Sequence, residues 1–241
     1  MKSSYSPNIL QTKSNSYTKL TAIRAVFFLI TSILLIVGIY IMSYNFFRYF
    51  THWGMIFDVI YFGSGVAIRM SVSLAKYDQN QYSMLRKVYR IAYEVGWTIN
   101  WLISMVYWLI LFPVAMFTDE SDNNKEWTLN EILSSVFDYC SHIIPLLGVV
   151  LDMVYNQMLF MPSHALYCIL LILLYGLEDA IMVYLGYDVS YPDVLTWNDW
   201  ITVGALLGFI VIALIAFYVG YKLSQKKLSA NELLLQKKSE N

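Results

Sequence analysis

The chain predicts an all-α fold, a polytopic membrane bundle of about six transmembrane helices, and three observations carry that prediction. Only 14% of its 241 residues are charged and 58% are hydrophobic, whereas a soluble domain carries about a quarter charged residues. The apolar residues gather into long blocks, several with roughly 18 or more nearly uncharged positions, which is the pattern of membrane spans. Tryptophans mark the block ends (Trp53, Trp97, Trp101, Trp127, Trp197 and Trp200), as interfacial belts require.

In chain order, residues 1–20 form a polar basic arm, 21–221 a six-span membrane domain, and 222–241 a basic tail. The spans fall at 21–43, 52–74, 91–115, 132–155, 165–186 and 201–221. Each is long enough for a hydrocarbon core of about 30 Å at about 1.5 Å per residue. In lipid each must be a helix, because a helix satisfies its own backbone. In the tail, Ser229 followed three residues on by Glu232 predicts a capping box before Leu233, Leu234 and Leu235, with Lys237 and Lys238 suited to the C-terminus of a short helix. That helix reads as lying on the membrane surface, or as a docking element.

Basic residues orient the bundle. Lys2, Lys13, Lys19 and Arg24 precede or open span 1; Lys76, Arg86, Lys87 and Arg90 follow span 2; Lys222, Lys226, Lys227, Lys237 and Lys238 follow span 6. An even number of spans puts all of these on one side. The other side holds Arg48 and Lys125, but also Asp119, Glu120, Asp122, Glu126, Glu131, Asp188, Asp193 and Asp199. The positive-inside rule then puts both termini in the cytosol, of an endoplasmic reticulum or plasma membrane protein. The acid-free, serine-rich opening leaves the mitochondrial inner membrane, with termini in the matrix, as the alternative. The net charge of −1 gives no case for nucleic acid, so membrane lipids are the expected partners. Cys140 and Cys168 lie inside apolar blocks and make no disulfide framework. Only three histidines exist, with His52 and His164 at opposite ends of their segments, so no metal and no cofactor is expected.

Ionisable side chains within spans are costly and usually face the bundle interior. Here they are Asp58, Arg69, Glu94, Asp138, His142, Asp152, Glu178 and Asp179. Asp138 and His142 are four apart and share a helix face, so the carboxylate can orient the imidazole. Pro145 leaves the carbonyl of Ser141 without its helical partner, which bends the helix beside His142. Thr51 opens span 2, with Asp58 seven residues on and on the same face. Thr51 and His142 both fall in the outer half of the bundle, His142 on the order of 15 Å into its helix. A hydroxyl and an imidazole meeting in one apolar cavity are a nucleophile and its base. The same residues also read as a helix-capping threonine and a packing histidine.

At these positions the chain resembles the androgen-induced family of multi-pass membrane proteins. The likeness runs through Tyr49, Phe50 and Thr51, then Asp58 and Tyr61-Phe62-Gly63. It continues through Val106-Tyr107-Trp108, Phe112-Pro113, the stretch Asp138 to Asp152 with His142 and Pro145, Pro162, and Tyr191-Pro192. The order and spacing over residues 20 to 220 carry the resemblance, since each piece is short. It implies an intramembrane hydrolase of fatty acid esters of hydroxy fatty acids, with Thr51 as nucleophile, His142 as base, and Asp138, Asp58 and Asp152 at site positions. Three residues depart from the family's pattern: Asp58 replaces an amide, Asp138 an Asn, and Asp152 a Glu. Two other classes compete. One is a non-catalytic accessory membrane subunit of a larger complex, which the shifted polar residues and the mitochondrial alternative favour. The other is a proton or ion path through Asp58, Glu94, Asp138, Asp152, Glu178 and Asp179. Against the path, the halves are not duplicated and no pair of spans is broken by Gly or Pro.

Overall fold

A computed structural model describes residues 14–74, 83–113, 128–156, 158–191, 194–197 and 200–239. Most of the basic arm, the connection with Lys76, the acidic stretch 114–127 with Trp127, and Pro192, Asp193 and Asp199 lie outside the described residues. Six long helices follow one another: α1 (Ser14–Met42), α2 (Phe50–Leu74), α3 (Ser83–Val106), α4 (Leu129–Tyr155), α5 (Ala165–Tyr184) and α6 (Trp200–Ser239). Short 3₁₀ turns at Ser43–Arg48 and Pro162–His164 lead into α2 and α5. No strand occurs among the described residues. The fold is an all-α bundle.

Among the described residues, five helices (α1, α3, α4, α5 and α6) are long and apolar enough to cross a membrane. The protein is therefore consistent with an integral multi-pass membrane protein. α2 matches the others in length, with 25 residues. Its polar residues Thr51, His52, Asp58 and Ser64 are buried, while Arg69 is exposed. It packs against α1 and α3, so neighbouring protein rather than lipid meets its buried polar groups. α3 is the most buried of the five apolar helices; α1 is the least. Leu29, Ile33, Ile36 and Tyr40 make an outward apolar stripe on α1, the face a helix presents to lipid.

Local chemistry explains several boundaries. Thr128 and Glu131 form a reciprocal capping box that starts α4. α3 does not end as an α-helix: Tyr107–Leu111 widens into π-helical turns, and the Phe112 N–H donates to the Tyr107 carbonyl, five residues back. Pro113 is the cause we assign, because its ring would strike the carbonyl of Leu109 in a regular α-turn. α6 differs from the expected span and separate tail helix. It runs unbroken to Ser239, and the Ser229 hydroxyl donates to the Gln225 carbonyl within the helix rather than starting a new one.

Consecutive helices are antiparallel, and each end of the bundle holds a polar cluster. At one end Arg24 of α1 makes an ion pair with Asp152 of α4 at 2.7 Å. Asn156 donates to Asp152 and to the Tyr89 hydroxyl, and Lys227 donates to the Asn156 carbonyl. Near that end Glu94 accepts from the Met161 N–H and pairs with His164 Nδ1 at 2.8 Å, pinning the entry to α5. The opposite end gathers the start of α2, the end of α3, the first half of α4 and the α5–α6 connection.

Candidate functional site

Thr51 stands in the first turn of α2, where the 3₁₀ turn from Ser43 to Arg48 delivers the chain. His142 stands in α4, four residues after Asp138. Thr51 is 7% and His142 6% exposed. Both line the same cavity of about 510 Å³, together with Asp138, Tyr107, His52 and Tyr191. A smaller adjoining void of about 30 Å³ is also bounded by Thr51 and His142, with Leu111 and Tyr191. Apart from these polar groups the walls are mostly apolar and aromatic, including Met42, Phe112 and Phe137 of the larger cavity.

The imidazole is held on two sides, and the His142 backbone on a third. Its Nε2 lies 3.4 Å from Asp138 Oδ1. Its ring stacks on Tyr107, with centroids 3.7 Å apart and planes 14° from parallel. The Ser104 hydroxyl donates to the His142 backbone carbonyl at 2.6 Å. Asp138 is itself fixed, since the Tyr107 hydroxyl donates to its other oxygen at 2.6 Å. A carboxylate at Nε2 favours the tautomer with the proton there and leaves the Nδ1 lone pair free. His142 Nδ1 is buried and makes no hydrogen bond. It is the nitrogen left to accept a proton.

Tyr107 is the first residue of the π turns. Such turns inside helices are frequent at functional sites. α4 continues through Pro145 as one helix. The inter-helix contact beside it goes to the carbonyl of His142, one residue beyond the Ser141 carbonyl that the proline deprives of a partner.

Of the five residues singled out from the sequence, the structure gathers Thr51, His142 and Asp138 at one cavity. It sets the other two elsewhere. Asp58 is fully buried between α2 and α3, where the Asn100 side-chain amide donates to it at 2.7 Å. Asp152 belongs to the Arg24 cluster near the other end of the bundle. Neither lines the cavity. Sequence reasoning assigned no role to Tyr107, Tyr191 or His52. His52 contributes wall and anchor: its ring stacks on Phe46 at 4.2 Å and its Nδ1 meets the Phe46 carbonyl. Among the described residues no three metal-ligating side chains converge.

No protein-family model, curated protein or solved structure matches this chain.

Proposed function

We propose that the chain is an intramembrane threonine-type esterase acting on lipid esters. The observation that carries this reading is that Thr51 and His142, from different helices, border one mostly apolar cavity while Asp138 meets the far nitrogen of the imidazole. A volume of about 510 Å³ is in the range of small-molecule sites, and the apolar walls suit a long acyl chain. Fatty acid esters of hydroxy fatty acids, the substrates implied by the family resemblance, combine such chains with a central ester.

In the proposed reaction His142 Nδ1 takes the Thr51 hydroxyl proton as Oγ1 bonds to the ester carbonyl carbon. The carbonyl electron pair moves onto its oxygen. Collapse breaks the carbon–alkoxy bond, and the alcohol leaves with the proton from His142. Water then repeats the sequence on the acyl-threonine, releasing the acid and restoring Thr51. The charge bias of the sequence supports a membrane placement with both termini on the basic, cytosolic or matrix side and the cavity toward the other face.

The test is turnover of a long-chain ester by purified protein. Thr51→Ala and His142→Ala should each lose at least about 10³-fold in kcat, with the chain still folded. Undiminished turnover in Thr51→Ala rejects the reading. A chain that shows no turnover and purifies at fixed stoichiometry with other subunits is instead an accessory membrane subunit.

A further inference from the structure

An esterase needs a donor aimed at the oxygen that becomes negative when Oγ1 attacks, and Thr51, His142 and Asp138 supply none. Tyr191 borders both voids beside Thr51. Its phenol oxygen interacts with the Thr51 side chain and with the backbone N–H of Phe50 at the start of α2. Burial pushes the phenol well above its ordinary range, so it keeps its proton and remains a donor.

The segment that carries Tyr191 is firmly held. Asp179 of α5, itself fully buried, accepts from the backbone N–H of Ser190 at 3.2 Å, from the Ser190 hydroxyl, and from Trp197 Nε1 at 2.6 Å. The Trp197 N–H donates to the Thr202 hydroxyl at 2.8 Å, which holds Trp197 at φ +56°, in the left-handed region. The Tyr191 carbonyl accepts from the N–H groups of Val194 and Leu195. The Tyr191 ring meets Tyr49 edge to face at 5.8 Å. An acidic side chain buried in α5 thus fixes a loop whose tyrosine reaches the first turn of α2.

We infer that Tyr191 is the oxyanion donor of this site, with Asp179 as the residue that positions it. The inference rests on the esterase reading above. In the resting state the phenol engages Thr51. As the Oγ1–carbon bond forms, the ester oxygen takes up negative charge next to Oγ1, and the Tyr191 O–H donates to it. The proton stays on Tyr191 throughout, so the proton count at His142 does not change.

Tyr191→Phe in the full chain tests this, because it keeps the ring and removes only the hydroxyl. With a long-chain ester, kcat should fall about 10²-fold while KM stays within about 2-fold. Affinity for an alkyl trifluoromethyl ketone, which forms a tetrahedral adduct with the nucleophile, should fall by a similar factor. Affinity for a non-hydrolysable ether of the same chain length should hold. Unchanged kcat overturns the inference, as does an equal loss of ketone and ether binding, which would mark a structural role. If Thr51→Ala abolishes turnover and Tyr191→Phe does not, only the inference fails. If the unaltered chain shows no Thr51-dependent turnover, the esterase reading fails first and this one with it.

Discussion

Asp138 has two partners with the same demand, and that fixes its job. The Tyr107 hydroxyl can only donate to it, and so can His142 Nε2–H. A carboxylate satisfies both at once. An alkyl side chain can meet neither. Asp138→Ala should therefore leave the imidazole and its tautomer unset, so that Nδ1 carries the proton in part of the molecules and is a poorer base. We expect kcat to fall by about 10²–10⁴-fold with KM nearly unchanged. Activity equal to the unaltered chain would show that Asp138 does not set the tautomer. Asp138 and His142 were legible in the sequence because four residues is a helical repeat, and one helix suffices to bring them together. Tyr107 and Tyr191 were not, being two of 20 tyrosines whose roles come from other helices. The one local hint for Tyr107 was the proline six residues on, which widens the turns that carry it. Asp58 misled in the same way: seven residues past Thr51 it keeps the same face but lies about 10 Å deeper along the helix.

Between helices, close approach sets where these side chains stand. Gly148 lies on α4, six residues past His142. A Cβ there would come within 2.6 Å of the Phe27 ring of α1 and 2.8 Å of the Phe62 ring of α2. Small residues let transmembrane helices pack backbone to ring in this way. Gly148→Ala should destabilise the bundle by about 1–3 kcal/mol through overpacking, and push α4 away from α1 and α2. Because α4 carries His142 and α2 carries Thr51, turnover should fall with stability. Adding Phe27→Leu, which withdraws the ring, should recover much of both. Thermal unfolding in mild detergent and ester turnover would be read on the same samples. If the single variant is as stable as the unaltered chain, the helices are not in the close contact described. Helix existence and order were readable from apolar block length, since lipid allows only helices. The π turns of α3 and the unbroken run of α6 were not, because both depend on how backbone carbonyls find partners after the chain packs.

Across the whole molecule the two ends of the bundle hold different chemistry. The cavity end has an imidazole nitrogen without a hydrogen bond, a half-exposed carboxylate and open volume. The other end has Arg24 paired with Asp152, Arg24 over the Tyr89 ring at 5.0 Å, and Asn156 and Lys227 closing the network. That end joins α1, α3, α4 and α6, and its groups are matched to one another rather than to a ligand. The prediction that separates structure from chemistry belongs here. Arg24→Met leaves Asp152 buried without its cation and should cost about 3–5 kcal/mol. Asp152→Asn added to it removes the uncompensated charge, keeps an acceptor for Asn156, and should return most of that loss. Turnover per folded molecule should stay within about 2-fold in both variants, since the cluster lies apart from the cavity. Should Arg24→Met instead lower kcat in protein that is fully folded, the two ends are coupled. Asp152 would then act on the substrate site through the length of α4.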